Sequence, residues 1–403
     1  MNGHAEPSKR QRFDVPAKMK ALQYSGPEKF AVETIDVPTI DLSLRCMRNR
    51  FALPVSFGCE KVATHALTRH VHICSKGEFL AKVRSSGNDV LNKADFLEVS
   101  FDTRYERSFT SPHTSLTSPG HEAAGTVAAI GKNVNNVAVG DRVAADALQP
   151  CLNCFYCTRR KTQLCENVIG YGGNVPGGFA EYCRYPARMV FPIGNLPDLE
   201  AVLLEPAACA AHGIERMQMD VGSRVLLFGC GPTGMLLAQL IKMNGAAHLT
   251  IASKGGPKLD LARELNIADS YITISDDNPG DDMAALSTDN PYGFDIVVEA
   301  TGAPTVLEKS IEYVRKGGKL VVYGVYDESV KIAWSPFRIW ENEITILASF
   351  CSMSHIPHVL EYVNAGKLKL GGIANKTYRI EQWEECLDAV RKQEVVKAAI
   401  VFD

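Results

Sequence analysis

The 403-residue sequence has no apolar run of about 18 residues, the length that a membrane-spanning helix requires. It also has little net charge, −3 at pH 7, which gives no electrostatic reason to expect nucleic acid or an anionic membrane as a partner. The basic residues near the N-terminus are followed by no apolar core, so residues 1–18 predict a disordered tail rather than a signal peptide. Twelve cysteines without a disulfide-like spacing suit a reducing compartment, and we expect a cytoplasmic protein.

The densest cysteine run has the spacing C-x2-C-x2-C-x7-C. This spacing lets four thiolates converge on one tetrahedral ion, and zinc accepts such all-sulfur ligation in structural sites. The alternative is four unrelated buried thiols, because free cysteine is often a small core residue. The predicted structural zinc ligands are Cys151, Cys154, Cys157 and Cys165.

The pattern of strands and helices divides the chain into two kinds of structure. Gly125 to Ile130 and Asp141 to Ala145 predict short strands of a β-rich, barrel-like domain. From Val221 onward, apolar strands alternate with helices, which indicates a doubly wound parallel sheet of the α/β class. Residues 41–118 show no clear periodicity, and we interpret them as an irregular insertion.

The first apolar strand after Val221 feeds a G-x-G-x-x-G turn at Gly229, Gly231 and Gly234. The first glycine makes the tight turn, the second lets the backbone approach a pyrophosphate, and the third packs the helix on the strand. Because the motif lies between a predicted strand and a predicted helix, it predicts a dinucleotide site rather than a plain turn.

In a dinucleotide site of this kind, residues at the end of the next strand bind the ribose. Sites for NAD usually place Asp or Glu there, about 20 residues after the glycines. Here the position holds Ser253 and Lys254, with Lys258 a turn later. Serine and lysine can bind and neutralise a 2′-phosphate, so we predict NADP as the preferred cofactor, with NAD possible; the alternative is that both lysines are merely solvated.

Together these motifs resemble those of zinc-dependent medium-chain alcohol dehydrogenases, in the polyol (sorbitol-like) branch that includes fungal D-arabinitol dehydrogenases. The resemblance covers Met19 to about Asp41 and Ser118 to Asp403. The motifs that carry it are GHEAAG at 120–125, the four-cysteine run, LEPAACAAHG at 204–213 and FGCGPTGM at 228–235.

The resemblance implies a Rossmann domain and a GroES-like β-rich catalytic domain that is discontinuous in sequence. The expected bounds are 19–206 for the first part of the catalytic domain, 207–345 for the Rossmann domain and 346–403 for the return to the catalytic domain. It also implies a homo-oligomer, either a dimer or a tetramer.

A second, catalytic zinc is implied between the two domains, making two zinc ions per chain. The resemblance assigns His121 as a ligand, Glu205 as a second ligand or a catalytic group that holds water, and Glu122 as a neighbouring carboxylate. From the residues alone, Glu205 is equally explained as an acid favoured by the positive end of a helix dipole.

The third ligand in the family is a cysteine in a C-G-x-D-x-H-like run, and here the sequence departs from the pattern. Counting forward from Pro38 places that ligand at Cys59, whereas counting back from Val71 places it at Leu67, which cannot ligate; an insertion between Cys59 and Val71 reconciles the two counts. We predict Cys59 as the ligand and His72 as the catalytic proton relay. The alternatives that stay open are Cys46 and Cys74 for the ligand and His65 for the relay.

The sequence therefore predicts a zinc-dependent, NADP-preferring oxidoreductase that interconverts a D-arabinitol-like polyol and its ketose by hydride transfer. Two other functions remain open: a reductase of the same superfamily that lacks the catalytic metal, and an inactive NADP-binding protein.

Overall fold

The structure, a computed structural model, describes residues 16–26, 29–37, 89–99, 118–131, 133–275 and 279–402, with the backbone alone described for 89–99. Nine strands and two helices come first in the described chain. They are β1 (Lys18–Gly26), β2 (Lys29–Asp36), β3 (Asp89–Val99), β4 (Ala123–Ile130), β5 (Arg142–Ala145), β6 (Leu148–Gln149), β7 (Ile169–Gly170), β8 (Tyr182–Pro186), β9 (Val190–Pro192), α1 (Asp198–Ala201) and α2 (Leu204–Met217).

Strands and helices then alternate, and a mixed segment closes the chain. The alternating elements are β10 (Arg224–Phe228), α3 (Pro232–Met243), β11 (His248–Lys254), α4 (Pro257–Glu264), β12 (Ser270–Ile274), α5 (Pro279–Asp289), β13 (Phe294–Glu299), α6 (Pro304–Ser310), β14 (Val314–Val322), α7 (Pro336–Glu341) and β15 (Thr345–Ala348). The closing elements are α8 (Ile356–Asn364), β16 (Lys376–Arg379), α9 (Trp383–Arg391) and β17 (Ala398–Val401).

Six strands form one all-parallel sheet in the order β12-β11-β10-β13-β14-β15. Numbered from its first strand, this is the order 3-2-1-4-5-6 of a Rossmann fold. The strand order reverses at β10. From β10 the chain runs through β11 to β12 on one side of the sheet, and it then crosses to β13, β14 and β15 on the other side. The predicted doubly wound sheet is therefore confirmed, and the crevice at its switch point lies where the glycine motif follows β10.

Strand β10 is buried on both faces, which explains its continuous apolar sequence. Val225 and Leu227 pack into the core that includes α2 and α3, whereas Leu226 and Phe228 face the opposite core with α5 and α6. All four side chains have 0% exposure. A sheet covered by helices on both faces leaves its carboxyl edge as the accessible place for a ligand.

The second large sheet is mostly antiparallel, in the order β16-β17-β3-β4-β5-β9, and β8 also pairs with β3. This is the β-rich domain that the sequence predicted, and the C-terminal strand β17 returns to it by pairing with β3. Its core contains Val127, Val143, Tyr185, Trp383 and Ile400. The β-rich domain is therefore discontinuous in sequence, because the segment that forms the parallel sheet lies between its two parts.

Strand β3 corrects the interpretation of residues 41–118 as wholly irregular. Asp89–Val99 lies inside the sheet and pairs with β4, β8 and β17. Irregular pairing explains why no periodicity was visible: the register shifts between Leu91 and Asn92 and again between Ala94 and Phe96. At the second shift β3 has one extra residue, Asp95, which interrupts the alternation on which the prediction depended, whereas at the first shift the extra residue, Ala128, lies in β4.

Two elements cross the expected domain bounds. Helix α2 begins at Leu204, before 207, and β15 continues to Ala348, after 345.

In the part of the chain that the structure describes, no helix is both long enough and apolar enough to cross a membrane.

Candidate metal and cofactor sites

The backbone just before β4 fixes the position of His121 and Glu122. Gly120 has φ +97°, a left-handed conformation that favours glycine, and its carbonyl oxygen accepts a hydrogen bond from the Gly178 amide at 2.8 Å. A Cβ atom on Gly172 would lie 2.2 Å from the same oxygen. The chain segments therefore approach too closely for side chains there, and the turn places His121 and Glu122 at a defined point of the sheet.

Helix α2 brings Glu205 to that point from a distant part of the sequence. Glu205 is the second residue of the helix and Pro206 is the third. Proline is tolerated there because the backbone amides of the first turn have no hydrogen-bond partner within the helix, so the missing N–H costs nothing. Donor atoms of His121, Glu122 and Glu205 all lie within 4.8 Å of one another. The structure thus brings together three of the predicted catalytic-zinc residues.

The surroundings of Glu205 change its acidity. Burial, and secondarily the negative charge of Asp146, raise the pKa of Glu205 to about 7. The Cys209 thiol, one turn along α2, donates to Glu205 Oε1 at 3.4 Å and partly opposes this rise in pKa. A carboxyl group with this pKa exchanges a proton near neutral pH.

Glu122 lies in a buried ion pair with Lys397. Lys397 Nζ is 3.2 Å from Glu122 Oε1 and 3.0 Å from Oε2, and both side chains are about 95% buried, with 5% and 4% exposed. Burial lowers the pKa of Lys397, while burial and then the charge of Glu205 raise the pKa of Glu122. Both shifts favour the neutral forms, and the 3.0 Å approach of Lys397 Nζ to Glu122 Oε2 opposes them, because removing either partner would leave the other buried without a counter-charge.

The hydrogen bonding of the Glu122 carboxylate indicates whether the cluster suits a metal. Glu122 Oε2 is buried and accepts no hydrogen bond of good geometry from the described residues, although Lys397 Nζ is close to it. A buried carboxylate oxygen with unused acceptor capacity, next to an imidazole and a second carboxylate, is the donor set of a His/Glu zinc site. The residues present therefore fit zinc.

The four predicted structural ligands lie on one lobe between β6 and β7. These two short strands pair at the base of the lobe, with Leu148 opposite Gly170 and Gln149 opposite Ile169. Two residues in the lobe, Leu152 and Arg160, have positive φ angles of 62° and 60°, so the backbone turns sharply between the cysteines.

The sulfur geometry in the lobe matches a tetrahedral zinc site. Four sulfurs about 2.3 Å from one ion would lie about 3.8 Å apart. The distances are 4.0 Å between Cys151 and Cys157 and 4.0 Å between Cys154 and Cys165, and all four sulfurs lie within 4.8 Å of one another. Backbone amides also point at sulfur, and hydrogen bonds from the Cys157 and Glu166 amides lower the pKa of Cys154 to about 6. The Cys154 thiolate is therefore favoured at neutral pH, whereas desolvation raises the pKa of Cys157 and raises that of Cys165 to about 12, so these two thiols would lose their protons only when a metal binds.

The glycine turn after β10 leaves room for a pyrophosphate. A Cβ atom on Gly231 would meet no atom within 4 Å, whereas one on Gly234 would lie 2.5 Å from the Gly229 carbonyl oxygen. Gly229 itself has φ +100°. Gly231 is also the N-cap of α3 and offers no side chain to the first amides of that helix, which therefore remain available to an anion.

The residues predicted to recognise the ribose lie beside this turn. Ser253 and Lys254 end β11, and Lys258 lies in the first turn of α4. The Cys230 thiol, inside the glycine motif, donates to the Lys258 carbonyl oxygen at 3.6 Å, so α4 packs directly on the turn. Partial burial lowers the pKa of Lys258. The structure thus places one neutral polar and two basic side chains at the edge where NAD sites carry an acid.

Several predicted residues lie outside the described part of the chain. They are Cys59 and His72, together with the alternatives Cys46, Cys74 and His65. Their assignment as zinc ligand or proton relay stays a prediction.

Lys397 is a site residue that was not predicted from the sequence. Its signal was a lysine within Val395 to Val401, an otherwise apolar run directly before and within β17, because a charge in such a run is buried only if it is paired. The partner is unreadable from the sequence, since it lies 275 positions away.

Comparison with known proteins agrees with this fold. Residues 75–197 match the alcohol dehydrogenase GroES-like domain, and residues 232–365 match the zinc-binding dehydrogenase family. An L-threonine 3-dehydrogenase from Serratia proteamaculans is 31% identical over 291 residues, 70% of this chain and 82% of that protein. The chain belongs to the zinc-containing medium-chain alcohol dehydrogenase family.

A more similar relative places it within that family. D-arabinitol dehydrogenase 1 from Uromyces fabae is 39% identical over 386 residues, 96% of this chain and 98% of the relative. The predicted membership of the polyol branch is thereby confirmed, and the chain is an alcohol or polyol dehydrogenase. The solved structure of L-idonate 5-dehydrogenase from Escherichia coli has the same fold, with a TM-score of 0.72 at 21% identity over 96% of this chain and 98% of that one. The GroES-like match begins at residue 75, so part of the segment first interpreted as an insertion belongs to the family domain.

Proposed function

We propose that the protein is a zinc-dependent, NADP-preferring dehydrogenase that interconverts a D-arabinitol-like polyol and its ketose. The observation that carries this proposal is the convergence of His121, Glu122 and Glu205 within 4.8 Å, from two segments far apart in sequence. The likeness to D-arabinitol dehydrogenase 1 supports the choice of substrate class.

When bound, zinc would polarise the substrate hydroxyl as a Lewis acid and NADP would accept the hydride. His121, Glu122 and Glu205 hold the metal in this proposal, with Cys59 as the further ligand and His72 as the proton relay. Before the metal binds, burial raises the pKa of Glu205 to about 7, so its carboxyl group gives up its proton near neutral pH when the metal is bound. Lys397 offsets the negative charge of Glu122 at 3.0 Å, so that two buried carboxylates can approach each other.

The cofactor is held by the backbone of the glycine turn and by three side chains. Gly231 leaves the space that the pyrophosphate fills, and the first amides of α3 face it. Ser253, Lys254 and Lys258 bind the 2′-phosphate. The four cysteines of the lobe hold a second, structural zinc, which has no open position for substrate.

The metal-free reductase remains the second candidate because of one observation. The ion pair between Glu122 and Lys397 already gives the carboxylate a cationic partner, so the cluster does not require a metal to be electrically balanced. Counting zinc separates the two functions, since the four-cysteine lobe alone accounts for one ion.

The test of the proposed function is a panel of polyols assayed with NADP and with NAD, with zinc counted on the same sample after gel filtration. We expect turnover of D-arabinitol or a stereochemically related polyol, a higher kcat/KM with NADP than with NAD, and two tightly held zinc ions per chain.

Each contrary result points to one alternative. One tightly held zinc together with reduction of a carbonyl substrate by NADPH would establish the metal-free reductase. Two zinc ions and NADPH binding without turnover of any polyol would establish an inactive cofactor-binding protein.

The preference for NADP predicts the effect of Ser253→Asp. The new carboxylate would accept a hydrogen bond from a ribose 2′-hydroxyl but repel a 2′-phosphate. We expect kcat/KM with NADP to fall at least about tenfold, or about 1.4 kcal/mol, while kcat/KM with NAD stays equal or rises. Steady-state kinetics with both cofactors measures this change.

A matched control uses the opposite edge of the same sheet. Lys316 is exposed near the start of β14, so Lys316→Ala should leave both cofactors unaffected, whereas Lys254→Ala should weaken NADP alone. Equal losses with NADP and NAD in Lys254→Ala would contradict the assignment of the 2′-phosphate site.

A further inference from the structure

A second cluster of metal-binding side chains lies farther along α2. His212 and Glu215 are three residues apart on the helix and therefore lie on one face of it. His355, the residue before α8, reaches the same place from a different segment. Donor atoms of the three residues lie within 4.8 Å of one another.

We propose that His212, Glu215 and His355 form a third zinc site, separate from the two that the dehydrogenase function requires. Two imidazoles and one carboxylate are ligands that Zn²⁺ binds well, and three protein ligands leave one position for water. His212 lies seven residues beyond Glu205, which corresponds to about 10 Å along the helix, so the two clusters cannot share an ion.

The distances fit a zinc ion at the centre of the three side chains. Nitrogen and oxygen ligands about 2.05 Å from a tetrahedral zinc lie about 3.3 Å apart. In the structure, His355 Nε2 is 3.0 Å and His212 Nδ1 is 3.7 Å from Glu215 Oε2. Small side-chain adjustments would therefore bring all three ligands to the required separation.

The surroundings of both histidines favour ligation. The other ring nitrogen of His355, Nδ1, lies 2.7 Å from Ser352 Oγ, the kind of contact that fixes the orientation of a ligating imidazole. The two imidazole rings have centroids 5.4 Å apart and are tilted by 55°, so they approach the carboxylate without stacking on each other.

The site is reachable from solvent and joins two parts of the molecule. The Glu215 side chain is 62% exposed, which gives an ion a path to the two buried or half-buried histidines. The segment that carries His355 is also tied to the catalytic side of the molecule, because the Ser354 amide donates to Asp146 Oδ2 at 2.9 Å. An ion bound here would link α2 to the segment before α8 and so stabilise the folded protein.

The test measures zinc bound by the full-length protein at equilibrium with a series of free Zn²⁺ concentrations. We expect one reversible equivalent per chain in addition to the zinc retained on gel filtration. We also expect the thermal midpoint to rise by roughly 5 °C at a free Zn²⁺ concentration a hundredfold above the dissociation constant. Glu215→Gln and His355→Asn should each abolish the extra equivalent and the rise in midpoint, while the retained zinc and the dehydrogenase activity at low free zinc stay unchanged.

The control is His358→Asn, which removes an exposed histidine three residues from His355 that is not among the three ligands. It should bind the extra equivalent as the unchanged protein does. The proposal is overturned if the unchanged protein binds no extra zinc, or if the extra equivalent survives in Glu215→Gln. Glu215 is largely exposed, so its replacement does not threaten folding, and the result does not depend on whether the protein oxidises a polyol.

Discussion

Replacing His121 with alanine is expected to lower kcat/KM for polyol oxidation by about a thousandfold, or about 4 kcal/mol, the scale of stabilisation that a Lewis-acid metal supplies. The tightly held zinc should fall from two ions per chain to one. NADPH binding should remain, because the glycine turn after β10 is built independently of the turn at Gly120. Steady-state kinetics, zinc content and NADPH titration measure the three outcomes.

The matched comparison is between two glutamates. Glu205→Gln keeps the shape of the side chain but removes the charge and the ability to exchange a proton, so it should cause a loss of similar size. Glu361→Gln changes an exposed glutamate on α8 and should have no effect. Activity within a few-fold of the unchanged protein in His121→Ala would mean that the cluster does not hold a catalytic metal.

The pH dependence of metal binding follows from the same carboxyl group. The pKa of Glu205 is raised by burial to about 7 from its ordinary value of 4.5. Below pH 7 a proton occupies the group that a metal must displace, so the affinity of the chelator-treated cluster for zinc should fall by up to about tenfold per pH unit below 7. Glu205→Gln should remove this part of the dependence. In the metal-free protein, the stability of the fold changes with pH in the opposite direction. Between pH 4.5 and 7 the Glu205 carboxyl group holds a proton more fully in the folded state than in the unfolded state, so the free energy of unfolding decreases as pH rises.

The parts of the molecule that the sequence predicted well are those set by local interactions. The apolar strand that the sequence predicts after Val221 is β10, Arg224–Phe228, and it leads into the glycine turn as expected. The glycine motif between β10 and α3 is likewise local, because its turn, its close approach and its helix start all fall within a few residues. Glu205 was identified differently, from the resemblance of LEPAACAAHG at 204–213 to the family, because its local pattern is equally that of an acid favoured by the helix dipole.

What the sequence could not provide depends on contacts between distant segments. Strand β3 pairs with β17, near the other end of the chain, and the extra residue Asp95 interrupts the alternation that marks a strand. The partners of Glu122 and His212 are Lys397 and His355, and neither spacing carries a sequence signal. The first pair depends on the strand order β17-β3-β4 within one sheet and the second on the packing of α2 against α8, and only the three-dimensional fold specifies either.

Replacing Cys154 with serine is expected to remove the other tightly held zinc and to lower the thermal midpoint by on the order of 10 °C. The physical reason is that the lobe has few alternative sources of stability: its side chains Leu152, Phe155 and Leu164 are exposed, and its base is a pair of two-residue strands. Without the ion, the sharp turns in this segment lose the four contacts that hold them. Calorimetry and zinc content measure the effect, and limited proteolysis should show new cleavage within 151–167.

The consequence for activity should differ from that of His121→Ala, which makes the two variants a test of two separate metal roles. Cys154→Ser should retain much of its kcat at temperatures where it is folded, because the lobe contributes no side chain to the cluster of His121, Glu122 and Glu205. Cys386→Ala, a buried thiol on α9 outside the lobe, should keep both zinc ions even though it leaves a small cavity. If Cys154→Ser kept two zinc ions per chain, or lost kcat as completely as His121→Ala does, the assignment of the four cysteines to a structural site would be wrong.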